Sequence, residues 1–416
     1  ELKTEFMLDI KYIREHAEEI KKNCDNRGVK VDIDRLLELD EKRRAKKSEV
    51  DNLRATRNQG SKSKPREEDI TKMRQVGDQI IQAEVTLAEI ESEYNALMLA
   101  VPNVASSDTP IGPDESGNKV LREIGKVPSF DFQPKEHWEL GTALDVLDIE
   151  RAAKVSGSRF GYLKGGLAMM EFALIQLVLS TVINESLLKK ITKKAGLSIS
   201  PKPFIPVVPP VFIKPDVFQK MGRLEPKEER YYIPSDDLYL IGSAEHTLGS
   251  MYMNETLNAD SLPLRYIGFS TAFRREAGSY GKDMKGIFRV HQFDKLEMES
   301  FTFAGDSTQE QNFFVALQEY FMQQLELPYR VAAICTGDMG SPDSRQIDIE
   351  TWMPGQNKYR ETHTSDLMTD YQSRRLNIRT KRNNATELVH MNDATAIAIG
   401  RTLIAIMENY QQKDGS

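Results

Sequence analysis

The sequence predicts an α+β protein with an antiparallel helical coiled-coil arm near its N-terminal end. Three observations point there. An apolar three-four spacing runs unbroken through nine positions, from Met73 to Val101. A Pro/Gly/Ser/Asp-rich stretch, 101–129, separates that segment from the rest. Beyond it come many short alternating runs with helical patterns at the ends, which argues for antiparallel strands flanked by helices.

The chain has 416 residues, too many for one core and enough for two or three domains. At 39% hydrophobic and 29% charged it has an ordinary soluble composition. No run of about 20 apolar residues occurs, so no membrane span is expected. The opening ELKTEFMLDIKYIREHAEEI lacks a signal-peptide apolar core, and Met7 is read as the native start, with 1–6 an addition. Two distant cysteines, Cys24 and Cys335, and six scattered histidines suggest no disulfide framework and no zinc site. Cytoplasm is the expected compartment.

Residues 7–31 read as a short helix and a turn at Asn26–Gly28. A long helix is expected from about Asp32, with Asp32 or Asp34 as N-cap, to Gln59. GSKSKP, 60–65, reverses the chain, and a second helix runs from about Arg66 to Ala100. In it Met73, Val76, Ile80, Ala83, Leu87, Ile90, Tyr94 and Leu97 form the seam, closed by Val101. In the first helix Ile33, Leu36, Val50 and Leu53 fit a seam that Arg43 and Lys47 interrupt. Two such helices, antiparallel, form an arm of about 40–50 Å. The net charge is −7, yet 42–66 carries ten Lys/Arg against Glu49 and Asp51. Such a local excess suits a polyanion, and Arg43, Arg44, Lys47, Arg54 and Arg57 are the candidates. The domain layout is therefore 1–104 with the hairpin at 32–101, a linker at 105–129, and a catalytic-size domain at 130–416.

In that last domain Ala168–Lys190 reads as an apolar helix and Pro206–Pro215 as a strand with a proline kink. Asp306–Leu325 is a helix. Tyr329–Cys335, Arg345–Met353 and Lys358–Asp366 are strands. The closing helix starts at Asp393 or Thr395 and ends at Tyr410. FRREAGSYGKDMKGIFRVHQFDKLEM, 273–298, reads as strand, long loop, strand. Its returning limb alternates, with Arg289, His291, Phe293, Lys295 and Glu297 on one phase. A cation, an aromatic face and a carboxylate on one side of a sheet suit a nucleotide. There is no G-x-G-x-x-G and no P-loop.

This stretch resembles the second signature motif of class II aminoacyl-tRNA synthetases, in the form found in seryl-tRNA synthetases, and the resemblance extends over essentially the whole chain. GLAMMEFALIQLVLSTVI with PVVPPVF resembles the first class II motif, which implies a homodimer. AIGRTLIAIMENY resembles the third and assigns Arg401 to the γ-phosphate. The resemblance implies a bacterial-type enzyme that couples L-serine to tRNA(Ser) with ATP and Mg²⁺, tRNA(Sec) being left open. Arg274 then holds the α-phosphate, Glu276 the adenine side, and Phe293 stacks on adenine. Arg275, Arg289 and Val290 border the nucleotide. Glu361, Thr362, His363 and Thr364 belong to the ATP site, Glu361 and Thr364 also to Mg²⁺. The T-x-E loop of the family is here Ser243, Ala244 and Glu245, which with Glu297 and Thr395 receive serine. Ser243 and His246, three apart, suggest a nucleophile and base but are read as coincidence.

The chain departs from the family pattern at FRRE, where FRSE is usual, at Thr362–Asp366 and at Asn392–Ile397. Two alternatives stay open. A carrier-protein aminoacyl ligase on the same core would lack the long arm. A non-catalytic paralogue would have lost Arg274, Glu361 or Arg401, and all three are present.

Overall fold

The computed structural model describes residues 8–60, 67–277, 283 and 285–416. Met7, the 61–65 part of the expected reversal, the cations Lys62, Lys64 and Arg66, and 278–282 and 284 of the motif loop lie outside the described residues. The chain divides into two compact units, Glu1–Pro102 and Asn103–Ser416.

The first unit begins with helices Ile10–Glu15 and Ala17–Asn26, where the sequence suggested one. Two long helices follow, α1 (Ile33–Gly60) and α2 (Glu67–Ala100). Asp32 caps α1, its Oδ1 accepting from the Arg35 N–H at 2.8 Å. The pair is antiparallel, since Arg35 bonds Glu93 at 2.8 Å and Arg54 bonds Glu84 at 2.7 Å. Of the α2 seam, Ile80, Ala83 and Tyr94 are buried, as is Val101 just beyond the helix, and Met73, Val76, Leu87, Ile90 and Leu97 are half-buried; near the end Met98, not Leu97, is the buried residue. The interruption in α1 is filled. The Arg43 guanidinium lies 4.4 Å from the Tyr94 ring centroid and bonds Asp40 at 3.3 Å. Arg43 therefore belongs to the seam and leaves the outward set, whereas Lys47 is exposed and does not interrupt.

In the second unit, eight strands among the described residues form one sheet. They are β1 (Lys119–Ile124), β2 (Ile205–Val207), β3 (Leu264–Phe273), β4 (Gln292–Thr302), β5 (Tyr329–Ala333), β6 (Arg345–Met353), β7 (Lys358–Thr369) and β8 (His390–Ala398). Their order is β1-β5-β6-β7-β8-β4-β3-β2, antiparallel except for β2 beside β3. Strand β1 falls within the expected linker. It is an edge strand with a register shift between Val120 and Arg122, so no clean alternation marks it in the sequence.

Four expected elements are redrawn. The apolar helix is two, α3 (Gly165–Val182) and α4 (Glu185–Lys194), because Asn184 caps a new start by accepting from the Leu187 N–H. The proline-rich strand is split. Pro206 sits on edge strand β2, Phe212–Ile213 pairs in a separate small sheet, and Pro209 and Pro210 between them donate no ladder bond. The returning limb of the motif becomes a strand only at Gln292, so the alternation that places groups starts at Phe293. The last helix, α6 (Ile399–Tyr410), starts after a strand, because 390–398 pairs with β4 on one side and β7 on the other. Two-sided pairing outweighs the capping preference of Asp393 and Thr395.

Helix α5 (Ser307–Gln324) covers one face, burying Phe313, Phe314 and Phe321. Its Gln318 amide donates to the Thr364 and Thr395 carbonyls at 2.8 and 2.9 Å, and Gln311 to those of Arg345 and Ser365 at 2.9 Å. These bonds fix β7 and β8 from behind. Helix α3 is long and apolar enough to cross a membrane, yet its Leu167, Leu174, Val178 and Val182 lie in the core.

Candidate active site

A cleft of about 610 Å³ opens on the sheet face opposite α5. Alternation along β4 sends Phe293, Lys295 and Glu297 into it, while β7 supplies Glu361, Thr364 and Asp366, and β8 supplies Asp393 and Thr395. The register places Glu297 opposite Thr395 and Asp366 opposite Asp393. Arg274 and Glu276 follow β3, and Arg401 sits in the first turn of α6. Residues from these five segments therefore meet on one surface.

One grouping is rich in guanidinium. Arg274 donates from Nε to the Gly242 carbonyl at 3.2 Å and lies 5.3 Å from the Phe293 centroid. Burial, with Arg401 adding repulsion, lowers its pKa. Such an arginine gains most from an anionic ligand. Arg401 bonds Glu361 at 2.7 Å, and Arg289 bonds Glu276 at 2.7 Å. Glu276 holds φ of +54°, a left-handed conformation uncommon for glutamate, so this ion pair secures a strained turn. Burial opposes charge on Glu361, but Arg401 and Arg274 outweigh it and keep its pKa below the ordinary value. Phe288, which sequence reasoning passed over, lies between two cations, with Arg360 at 3.7 Å and Arg401 at 4.8 Å from its ring centroid.

The other grouping is rich in carboxylates. The Ser243 hydroxyl donates to Glu297 at 3.0 Å, and Glu297 also pairs with Lys295. Glu245 accepts from Arg223 at 2.6 Å. Burial opposes its charge, yet Arg223 outweighs burial and holds its pKa at about 2. Arg223, also unforeseen, lines the cleft and reaches Asp343, Asp366 and Asp393 as well. No local motif marks it, since its partners lie 22 to 170 residues away in sequence.

Several expected residues stand elsewhere. His363 is buried off the cleft, its Nδ1 on the Thr362 hydroxyl at 2.8 Å, because strand alternation puts it on the face opposite Thr364. Burial lowers its pKa to about 3. Thr362 does line the cleft, although its hydroxyl is engaged by Thr351 at 2.8 Å. Arg275 does not line the cleft and lies 5.6 Å from the Tyr231 centroid. Ala244 packs in a hydrophobic core rather than on the cleft. Val290 and Arg289 do line it. Ser243 and His246 form no dyad, since the serine serves Glu297 and His246 Nδ1 accepts from the Gly242 N–H at 3.1 Å.

Mg²⁺ prefers hard oxygen ligands and few protein carboxylates. Glu361 and Thr364 fit, and Asp348 stands opposite Thr364 in the register.

An antiparallel sheet carrying paired guanidinium groups, an aromatic face and a metal-competent glutamate defines the class II aminoacyl-tRNA synthetases. The class II core family (G, H, P, S and T) matches 230–410, and the seryl-tRNA synthetase N-terminal domain matches 7–105. The serine–tRNA ligase of Petrotoga mobilis is 40% identical over 98% of this chain and 96% of its own length. That of Thermodesulfovibrio yellowstonii is 38% identical over 99% and 96%. The seryl-tRNA synthetase of Pyrococcus horikoshii complexed with ATP superposes with a TM-score of 0.85 at 36% identity, covering 98% of this chain and 95% of that one. The cytoplasmic serine–tRNA ligase of Naegleria fowleri in complex with AMP gives 0.81 at 28%, covering 98% and 94%. This chain belongs to the seryl-tRNA synthetase family.

Proposed function

We propose that this chain is a serine–tRNA ligase: it joins L-serine to ATP as seryl-adenylate and then passes serine to the 3′ end of tRNA(Ser). The observation that carries the reading is one sheet face presenting Arg274, Arg401 and Glu361 beside the carboxylates Glu245 and Glu297, in a chain similar to such ligases along its whole length. The serine carboxylate, ionised at pH 7, attacks the α-phosphorus of ATP. A carboxyl–phosphorus bond forms, the bond to the β-phosphate oxygen breaks, and pyrophosphate leaves. No general base is needed. Arg274 neutralises charge on the α-phosphate and Arg401 on the γ-phosphate, so the rate rests on positioning and electrostatics. Glu361 and Thr364 would hold Mg²⁺, which would add further neutralisation of the phosphates. Phe293 offers its face to adenine. In the second step a 3′-terminal ribose hydroxyl of tRNA attacks the acyl carbon and AMP leaves.

The serine ammonium is assigned to Glu297 and Glu245, with Ser243 and Thr395 beside them. Arg44, Lys47, Arg54 and Arg57 on the arm are assigned to the tRNA backbone. Arg44 and Arg54 are drawn from ion pairs with Asp40 and Glu84, and Lys47 and Arg57 are exposed. A homodimer is assigned to the face of α3, where Met169 and Phe172 are 67% and 63% exposed and Val208 nearby in sequence is 83% exposed. Work in the cytoplasm accords with these substrates. Amino-acid-dependent ATP–pyrophosphate exchange across the twenty amino acids tests the reading. Exchange with serine is expected, and its absence in a folded protein overturns the assignment.

A further inference from the structure

The carboxylate grouping holds more than the serine set read from the sequence. Arg223 places Nε on Glu245 at 2.6 Å, and Nη2 on Asp343 at 3.0 Å, Asp366 at 3.2 Å and Asp393 at 3.3 Å. One guanidinium thus faces four carboxylates. Asp366 is 6% exposed and lines the cleft. Its Oδ2 is on Arg223, while its Oδ1 has no hydrogen-bond partner among the described residues. A buried carboxylate oxygen left without a donor is costly. Here it borders open volume, so a donor carried by a ligand entering the cleft can reach it. The register sets Asp366 opposite Asp393, two residues from Thr395, which faces Glu297. The unpaired oxygen therefore belongs to the part of the cleft assigned to the amino acid.

We propose that Asp366 reads the side chain of the amino-acid substrate, accepting a hydrogen bond from a donor on its β-carbon, and that Arg223 is the positioning residue that aims it. This rests on the ligase reading above and names the group that inspects the β-substituent. The donor is a hydroxyl, as in serine, or an ammonium, as in its isostere 2,3-diaminopropionate. The ammonium brings three donors and a positive charge to a grouping in which four carboxyl groups share one guanidinium. The structure thus assigns a second substrate class, β-amino-α-amino acids, to the same site. A methyl group in that place leaves Oδ1 unpaired, and sites built to bond a polar substituent reject its absence by roughly 10⁴-fold.

The test is ATP–pyrophosphate exchange by the full chain with L-serine, L-2,3-diaminopropionate and L-alanine. Both β-donor amino acids are expected to support exchange, alanine about 10⁴-fold less well. Asp366→Asn keeps the shape, but the amide oxygen must turn to Arg223 and its NH₂ replaces the free acceptor. A serine hydroxyl can accept from that NH₂ and an ammonium cannot. The serine-to-diaminopropionate ratio of kcat/KM should therefore rise about tenfold or more, on the scale of one hydrogen bond to a charged group. Arg223→Lys should raise the KM for the amino acid while that for ATP stays within about twofold, as expected for lost ground-state positioning. Should Arg223→Lys fail to fold, the isosteric Asn variant still decides. Exchange with serine but not diaminopropionate, or an unchanged ratio in Asp366→Asn, overturns the proposal and leaves the ligase reading standing. Exchange with none of the three by folded protein overturns both.

Discussion

Arg401 donates from Nη1 to a Glu361 carboxylate oxygen at 2.7 Å, joining the first turn of α6 to strand β7. The same nitrogen reaches the Glu361 carbonyl at 3.1 Å. The pair sets the cation proposed for phosphate beside the anion proposed for the metal, and Arg401 helps keep the Glu361 pKa below its ordinary value. Arg401→Ala should lower kcat/KM for ATP by about 10²–10³-fold, the range for removing one preorganised donor. Glu361→Gln should shift the Mg²⁺ dependence of exchange to higher concentration. A Mg²⁺ titration unchanged in that variant would contradict the metal assignment.

Arg274 is aimed by its bond to Gly242 and by the Phe293 ring. Because burial and Arg401 already disfavour its charge, it has more to gain from phosphate than an exposed arginine. Arg274→Ala should reduce serine-dependent exchange by at least about 10²-fold. A loss under threefold would remove Arg274 from the α-phosphate.

The arm is tested through Lys47 and Arg57. Reversing both charges to Glu should weaken tRNA binding and flatten its salt dependence, since each phosphate contact adds about one unit of slope. Serine-dependent exchange should not change. Filter binding across a salt series reads the first effect, and equal slopes in both proteins would argue against the arm surface.

The exposed apolar face of α3 gives a fourth measurement. Phe172→Glu places a charge where a partner surface is expected and should convert a dimer to a monomer in sedimentation velocity. Wild-type protein that sediments as a monomer would end the homodimer assignment.

Glu299 is fully buried on β4, and neither carboxylate oxygen has a partner among the described residues. Burial first, then Glu245 and Glu297, push its pKa well above the ordinary 4.5. The folded state then holds this proton more tightly than the unfolded state. Its contribution is most favourable below about pH 4.5 and declines as pH rises toward the folded pKa. Glu299→Gln should remove that decline, so the urea midpoint should fall less with rising pH than in the parent. Parallel pH profiles would show that Glu299 carries its charge in the fold.

The legible features share a physical basis: each is local. The α2 seam repeats with the pitch of one helix, so Met73 to Leu97 could be placed without any partner. Arg274, Glu361 and Arg401 sit in short segments whose wording is tied to backbone geometry, and the structure brings all three to one cleft. What tertiary structure decided is non-local. Residues 390–398 carry capping residues ahead of a helix, and only pairing with β4 and β7 makes them a strand that turns Asp393 and Thr395 to the cleft. Arg43 looked like a break in a seam until Tyr94 of the opposite helix covered it. Asp366 and Arg223 are 143 residues apart, and no periodicity encodes a contact made through four separate segments. The sequence by itself determined the helical arm and the arginines and glutamate that meet in the cleft. The pairing of distant strands decided which carboxylates surround Arg223 and which oxygen is left without a partner among the described residues, because a buried charge finds its partners by position in space.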